Sequence, residues 1–172
     1  MSNEEKILLD EDDTLRKYMA IEEARKNALF EHDTWILPAN PNDYEVDEAF
    51  RRLWVIEWAQ TRALKNIKLN DIAYIYESSP VKAIHWKCRV VRVKVENSEI
   101  DDRRFSHTDE NYTGPFIWLE GLREYDVGKK FSYETLRENG LKSTVRSPMR
   151  AAGQLLDYLE AVDEMVDRNE RN

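Results

Sequence analysis

The stretch at residues 82–95 constrains the fold more than any other, because its apolar residues change position halfway along it. They occupy even positions from Ile84 to Val90 and odd positions from Val91 to Val95. Side chains of a β-strand alternate between the two faces of a sheet, so one regular strand does not bury both sets. The pattern therefore predicts a long strand with a bulge or sharp bend near Val90. Bent strands of this kind turn the corners of small β-barrels.

Shorter patterns on either side predict further strands and helices around this bent strand. Apolar residues in alternating or continuous runs indicate strands at residues 34–37, 71–76 and 116–120. Helical spacing and capping residues indicate helices at residues 14–30, 46–54 and 132–139, and a last helix that starts at Ser147 and Pro148. The predicted fold class is α+β, a small mixed β-barrel of five or six strands with flanking helices and an added N-terminal helix.

The composition is that of a globular chain with one main domain. Its 172 residues suffice for a sizeable core, with 41% hydrophobic and 35% charged residues. No apolar run is long enough to cross a bilayer, and the acidic N-terminus argues against a signal peptide. Because Cys88 is the single cysteine, disulfides within the chain are excluded and a cytoplasmic location is expected.

The net charge of −8 argues at first against a nucleic-acid partner. However, residues 1–33 hold ten acidic and five basic residues, and residues 157–172 hold six acidic and two basic ones. The acidity is therefore concentrated at the two termini, and the central domain is nearly neutral. A neutral domain permits contact with nucleic acid but does not predict it, since phosphate binding normally uses a concentrated basic face.

Catalytic and metal-binding patterns are missing from the sequence. The histidines lie near no acid pair with ligand-like spacing, and the odd spacing of His85 and Cys88 in a strand places them on opposite faces. Five glycines supply no phosphate loop, and Asp101 and Asp102 are typical of solvated loop charge. The sequence therefore predicts a protein without enzymatic activity, metal or cofactor.

The aromatic residues are the remaining candidates for a binding site. Most of the five tryptophans and eight tyrosines belong to the core on general grounds. Trp58 is expected just beyond a helix and Trp118 in the middle of a strand, and two such rings can sandwich a flat base. Amide and hydroxyl groups nearby can bind the edge of that base. The predicted ligand-binding set is Trp58, Trp118, Asn40, Asn42, Ser78, Ser79, Gln60 and Tyr76.

A series of motifs in one order resembles the EVE domain of the PUA-like superfamily, which is related to YTH and ASCH domains. The series consists of Trp-Ile-Leu-Pro-Ala-Asn-Pro at residues 35–41, Ile-Glu-Trp-Ala-Gln at 56–60, Tyr-Ile-Tyr at 74–76 and Tyr-Glu-Thr-Leu-Arg-Glu-Asn-Gly-Leu at 133–141. The resemblance spans about residues 34–160 and is greatest to the variety found beside HNH-type endonucleases. It implies a barrel with flanking helices and a pocket for a modified base, flipped out of DNA or presented in RNA.

The resemblance also implies roles for single residues. Trp58 corresponds to the pocket tryptophan of the family, with Trp118 as a looser match for a second wall of an aromatic cage. Asn40 and Asn42 follow the first strand, where related readers place groups that recognise the base edge, and Ser78 and Ser79 match a hydroxyl position. Arg146 corresponds to an arginine that could contact a phosphate.

Two departures from the family pattern concern charge. Glu77 stands where many members have His or Gly, and its carboxylate would repel a nearby phosphate. Lys87 and Arg89 could form part of a phosphate track, but alternation favours the simpler interpretation, in which they form the solvated face of a half-buried strand.

The leading hypothesis is a non-catalytic reader of a modified nucleobase, in a defence or nucleic-acid-modification context. Its expected partner is DNA or RNA carrying the modified base. An effector nuclease encoded separately is a possible second partner, and no membrane association is expected. The alternatives are a small-molecule or nucleotide-binding module and a protein-interaction subunit that acts through the acidic helices. The predicted organisation is an acidic helical extension at residues 1–33 and an EVE/PUA-like domain at 34–168.

Overall fold

A computed structural model of the chain describes residues 11–26, 31–108, 112–128 and 130–172. Within these ranges the α-helices are α1 (Glu11–Lys26), α2 (Val46–Leu53), α3 (Tyr133–Glu138) and α4 (Gly153–Arg171). The strands are β1 (Thr34–Ala39), β2 (Val55–Ala59), β3 (Ile72–Glu77), β4 (Ala83–Val95), β5 (Phe116–Glu124) and β6 (Met149–Arg150). No helix in the described part of the chain has the length and apolar character needed to span a membrane.

The six strands form one mixed sheet in the order β2-β5-β4-β3-β1-β6. Strands β1 and β3 pair in parallel, and the other neighbours pair antiparallel. The α+β class with six strands and flanking helices is therefore confirmed. Among the described residues the hydrogen-bonded sheet is open, with β2 and the two-residue β6 as its edge strands.

The sheet has one hydrophobic cluster on each face, and the helices divide between them. Alternation in β3 places Ile75 in the cluster with α1 and α2 and Tyr74 in the cluster with α3 and α4. In β4, Cys88 belongs to the first of these clusters and Ile84 to the second. All four of these side chains are buried. Helices on both faces therefore shield most of the sheet, and the ends of the strands remain as the places where a site can form.

The bend predicted in β4 is confirmed. The register between β4 and β5 shifts between Val90 and Arg92, and Val90 and Val91 are both buried although they are neighbours in the chain. A second irregularity lies at the other end of β4, where Ile84 and Trp86 both pair with β3 and His85 between them has no partner there. The alternation that revealed the first bulge gives no sign of the second.

Two local predictions are wrong for the same physical reason. Trp58 does not lie just beyond the end of a helix: α2 ends at Leu53, Trp54 has left-handed backbone angles, and Trp58 lies within β2 opposite Ile117. The last helix starts at Gly153 rather than at Ser147, because the intervening residues pair with β1 as β6. Pairing with a distant strand decides the conformation of both short segments.

Helix α1 packs on the domain, as the interpretation favoured from the sequence states. Ala20, Ile21 and Ala24 are buried in the cluster shared with β4. The helix begins at Glu11 rather than near residue 14, and its predicted end at residues 27–30 lies outside the described residues. The predicted cap of α3 is confirmed, since Ser132 Oγ accepts a hydrogen bond from the Thr135 N–H.

Candidate functional site

The carboxyl ends of β1 and β3 meet the approach to β6 at one edge of the sheet. Ala39 pairs with Glu77, and the Ser78 N–H donates to the Ala39 carbonyl over 2.8 Å. Strand β6 runs antiparallel to β1 with Met149 opposite Ile36, so the chain enters β6 from the side of the sheet on which β1 ends. We call this region the polar edge. It comprises Asn40, Asn42, Ser78, Ser79 and residues 143–148.

A cavity of about 580 Å³ lies in the loop of the polar edge. No acidic side chain lines it, although the whole chain carries a net charge of −8. Its lining combines one cation with hydroxyl groups, a donor set suited to an anion such as a phosphate. The lining residues are Ser143, Thr144, Val145, Arg146, Ser147 and Met149.

Two contacts hold this loop in place while leaving Arg146 exposed. Val145 is only 4% exposed and anchors the loop in the cluster under α4. Gly140, at the start of the segment, has a φ of +108° and passes so close to Leu155 that a Cβ would lie 2.8 Å from its backbone nitrogen. Thr144 Oγ1 also donates to the hydroxyl of Tyr133, a half-buried ring that sequence reasoning did not include in the site.

The asparagines of the polar edge lie in a tight exposed loop. Asn40 Oδ1 accepts from the Asn42 N–H over 3.0 Å, and Asn40 Nδ2 donates to Asp43 over 3.0 Å. The Asn40 side chain therefore builds the turn that follows β1, as asparagine commonly does. Ser78 is half-buried and Ser79 is exposed at the end of β3.

The structure divides the predicted ligand-binding residues into separate groups. Glu77, beside Ser78, pairs with Ala83 at the amino end of β4, whereas Trp118 pairs with Arg92 near the carboxyl end of that strand. Trp58 is half-buried in β2, next to β5. Asn40, Asn42, Ser78, Ser79 and Arg146 thus share the polar edge, while Trp58, Gln60 and Trp118 lie toward the other end of β4.

The second group contributes mostly to the core. Trp118 is 1% exposed, its Nε1–H donates to Glu57, and the Arg92 guanidinium lies 4.5 Å from its ring centre. Gln60 Nε2 donates to the Leu64 carbonyl and its Oε1 accepts from the Lys94 N–H. Tyr76 is 2% exposed, within the cluster under α4.

Asp102 is not the solvated loop acid that the sequence suggested. Its carboxylate accepts a hydrogen bond of 2.9 Å from the Tyr44 hydroxyl. Burial raises the pKa of Asp102 to about 6, and the charge of the nearby buried Glu57 adds to this shift. Glu57 itself is satisfied by the Ser98 hydroxyl and the Glu99 N–H. Glu57 thus holds residues 98 and 99 against β2, and Asp102 contacts Tyr44, which precedes α2.

Lys87 and Arg89 form neither a solvated face nor a phosphate track. Lys87 Nζ lies 2.5 Å from Asp163 on α4, and Arg89 lies 3.7 Å from Glu120. Both line a cavity of about 490 Å³ between α4 and the sheet, whose other walls include Glu160 and further acids of α4. The acidic helix covers this face, which the strand pattern alone does not reveal.

His85 lies among acids, contrary to the expectation from sequence spacing. Its Nδ1 is 2.9 Å from Asp47 Oδ1 and 2.8 Å from Glu77 Oε2, and its Nε2 is 3.1 Å from Glu124 Oε1. Burial alone would lower the pKa of His85, but the hydrogen bonds to Asp47 and Glu77 outweigh it and raise the pKa to about 10. Burial raises the pKa of Glu77.

Three solved structures show likeness to this chain. A point variant of the ASCH protein from Zymomonas mobilis matches with a TM-score of 0.50 and 11% identity, covering 76% of this chain and 98% of that one. The unsubstituted protein matches at 12% identity with a TM-score of 0.45, covering 76% and 96% of the two chains. Rpa0253 from Rhodopseudomonas palustris matches at 12% identity with a TM-score of 0.43, covering 62% and 70%.

No protein-family profile and no curated protein matches the sequence. At 11% identity the first likeness bears on the fold alone. The chain has a PUA-like fold of the kind seen in ASCH domains.

Proposed function

We propose that this protein is a non-enzymatic nucleic-acid-binding module that reads a modified nucleobase at its polar edge. The observation that carries the proposal is the acid-free cavity around Arg146 in an otherwise acidic chain. The PUA-like fold and the resemblance to EVE domains support the same function. DNA or RNA with a modified base is the partner, in a defence or modification context with a separately encoded effector nuclease.

Arg146 is the phosphate contact in this proposal. A guanidinium presents several N–H donors in a plane and binds phosphate oxygens in pairs. The hydroxyls of Ser143, Thr144 and Ser147 line the same cavity and can donate further hydrogen bonds. The carboxylate of Glu77 would repel a phosphate nearby, but this carboxylate is paired with His85.

The base is bound by polar groups at the ends of β1 and β3. Extruding a base from a duplex costs a few kcal/mol of stacking, which new contacts must offset. Ser78 and Ser79 supply hydroxyl groups to the base edge, and Asn42 supplies an amide. Tyr133, linked to Thr144, is the aromatic ring of this region and replaces the distant Trp58 and Trp118 as a stacking surface in the simplest arrangement.

The proposal that the protein is not an enzyme rests on the state of Cys88, the candidate nucleophile, and of His85, the candidate general base. Cys88 is fully buried, and burial raises its thiol pKa well above the ordinary value, so the reactive thiolate does not form near neutral pH. His85 is held between carboxylates that keep it protonated. A protonated imidazole does not act as a general base.

Binding of labelled oligonucleotides tests the proposal. We expect fluorescence anisotropy to show tighter binding of one modified sequence (5-methylcytosine, hydroxymethylcytosine or N6-methyladenine) than of its unmodified control. Arg146→Gln should weaken binding of every sequence by about tenfold, since it removes one phosphate contact, and should reduce the salt dependence. Arg168→Gln is the matched control, because Arg168 is exposed near the far end of α4 and its nearest ion-pair partner is Glu164.

Two outcomes would contradict the proposal. If wild type and Arg146→Gln bind the oligonucleotides equally tightly, the polar edge is not the nucleic-acid interface. Binding of a free nucleoside with no effect of salt would favour the small-molecule module, because a neutral ligand releases no counterions.

Helix α1 favours a second candidate function, docking of a protein. Leu15, Tyr18 and Met19 are 58%, 59% and 64% exposed, which is high for large apolar side chains on one helix. The double variant Leu15→Ser/Met19→Ser should leave nucleic-acid binding unchanged. If this variant and the wild type also sediment alike at high protein concentration, self-association through α1 is excluded.

A further inference from the structure

The group of Asp47, Glu77 and His85 is a cluster that the proposed function does not use. One donor atom from each residue lies within 4.8 Å of the other two. The Glu77 side chain is 2% exposed, the His85 side chain 12% and the Asp47 side chain 32%, so the group is buried on the Glu77 side and reaches solvent at Asp47. We propose that these three residues form a binding site for a divalent transition metal ion, with Zn²⁺ as the best-matched ion.

The donor set fits the ion. Imidazole nitrogen and carboxylate oxygen are both ligands of Zn²⁺, and three protein ligands leave one position of a tetrahedral ion for water. Ligand atoms about 2.0–2.1 Å from a tetrahedral ion lie roughly 3.3 Å apart. His85 Nδ1 is now 2.9 Å from Asp47 Oδ1 and 2.8 Å from Glu77 Oε2. Small side-chain rotations therefore open the cluster enough for the ion.

The backbone holds the histidine in position for this role. His85 is the extra residue between Ile84 and Trp86, which pair with consecutive residues of β3. A bulge of this type turns a side chain away from its regular direction. Glu77 ends β3 and Asp47 lies in the first turn of α2, so three separate elements bring their donors to one point.

Neighbouring groups orient the ligands. Glu124 Oε1 lies 3.1 Å from His85 Nε2, so this carboxylate accepts the N–H that remains when Nδ1 binds the ion. A carboxylate in this position is a common feature of metal-bound histidine. Trp86 Nε1 donates to Asp47 Oδ1 over 2.7 Å and holds the second ligand.

The local charge is consistent with a divalent cation. Asp47, Glu77 and Glu124 meet two cations, His85 when protonated and Arg51, whose guanidinium contacts Glu124. This group has one negative charge in excess. A divalent ion that replaces the Nδ1 proton makes the group neutral. Because Ser78 follows Glu77 in the chain, the ion would also offset the repulsion between Glu77 and a phosphate at the polar edge.

Metal titration of the full chain tests the inference without reference to nucleic acid. After treatment with EDTA and dialysis, we expect Zn²⁺ at 100-fold excess over Kd to raise Tm by about 5–10 °C, and Mg²⁺ to have no comparable effect. Glu77→Gln and His85→Gln should each abolish the Zn²⁺-dependent rise. His107→Gln is the matched control, because His107 forms an exposed pair with Glu45 at 3.5 Å and should leave the rise intact.

A second measurement on the wild-type protein avoids any doubt about the folding of the variants. Substoichiometric Mn²⁺ broadens NMR resonances near its binding site, and we expect this broadening around residues 47, 77 and 85. Broadening that is confined to the acids of α4, or absent, would overturn the proposal. So would a Zn²⁺ effect on Tm that is equal in wild type and His85→Gln, and the cluster would then be an ionic contact between α2 and the sheet.

Discussion

At the scale of single residues, the buried amine of Lys17 shows how α1 is attached to the domain. The side chain is 0% exposed, and its Nζ donates to the Leu53 carbonyl over 3.2 Å at the end of α2. It also pairs with Asp13 at 3.1 Å and lies 4.9 Å from the ring centre of Trp54. Burial lowers the pKa of Lys17, although the contact with Asp13 opposes the shift. A buried charge of this kind is costly to leave without its partners.

Replacement of Lys17 by alanine should destabilise the protein by about 2–3 kcal/mol, because it removes a buried hydrogen bond to a carbonyl and leaves a cavity. Urea denaturation measures the change. Lys26→Ala, at an exposed position of the same helix, is the control and should change stability by less than about 0.5 kcal/mol. Equal stability of the two variants would mean that α1 contributes little to the fold.

Asp102 gives a pH-dependent expectation. Its folded-state pKa is about 6, above the ordinary value of an aspartate, so the folded protein binds this proton more tightly than the unfolded chain does. Asp102 therefore stabilises the folded protein fully only at pH values below about 4. As the pH rises from there through about 6, the free energy of unfolding falls by roughly 2 kcal/mol because of this group. Asp102→Asn removes the titration, and its stability relative to wild type should increase between about pH 4 and pH 7.

Urea denaturation of both proteins at several pH values measures this difference. Asp101→Asn is the neighbouring control, because Asp101 is 72% exposed and its pKa is lowered by the contact with Arg103. Parallel stability curves for wild type and Asp102→Asn would show that Asp102 titrates as an ordinary surface carboxylate.

At the scale of elements, β4 shows what alternation does and does not reveal. The bulge near Val90 was predictable, because Val90 and Val91 are both buried although they are neighbours. Two adjacent apolar residues interrupt the regular alternation, and this interruption is visible in the sequence. The bulge at His85 leaves no such sign, since a half-buried histidine between Ile84 and Trp86 is also what regular alternation produces. The acids that contact it come from other elements, so spacing along the chain does not indicate the cluster.

The paired strands β2 and β5 allow a test of the two tryptophans assigned to a base cage. Trp118→Ala should cost about 3–5 kcal/mol, because its ring is 1% exposed and its removal leaves a large cavity. Trp58 is half-buried, so Trp58→Ala should cost roughly half as much. Thermal and urea unfolding give both values. If Trp58 stacks on the base, as the resemblance to EVE domains implies, its loss also weakens oligonucleotide binding by about 1–3 kcal/mol.

The result for Trp58→Ala separates the two interpretations. Weaker binding with Tm within a few degrees of wild type would make Trp58 a ligand contact and move the base away from Tyr133. Loss of the fold, or unchanged binding by a stable variant, would make Trp58 a structural residue and leave the polar edge as the site.

At the scale of the whole molecule, the relation of α1 to the domain is testable by deletion. Removing residues 1–30 keeps Asp33, whose N–H donates to Asp71, but uncovers the surface that Ile21, Ala24 and Lys17 bury. We expect a loss of about 3 kcal/mol, which corresponds to a decrease in Tm of roughly 6–12 °C for a chain of this size. Calorimetry of both proteins measures it. An unchanged Tm would make the acidic extension a separate unit.

The distribution of charge also becomes clear only at this scale. In the sequence the acids of residues 157–172 form a terminal block, and Lys87 and Arg89 belong to the central domain. In the fold, α4 places Asp163 against Lys87 and encloses both basic residues in an acid-lined cavity. Arg146, which the resemblance to EVE domains had indicated, is exposed at the polar edge and lines the cavity there.

The sequence by itself determined the α+β class, the four strands β1, β3, β4 and β5, the bend in β4 and the cap of α3, because local periodicity and capping chemistry control these features. The resemblance to EVE domains also indicated Asn40 and Ser78, at the ends of β1 and β3, and Arg146, in the segment before β6. Only the tertiary structure decided that Trp58 lies in a strand, that Met149 and Arg150 form β6, and that His85 meets Asp47, Glu77 and Glu124. Each of these depends on contacts between residues far apart in the chain, whose energies leave no periodic trace in a single sequence.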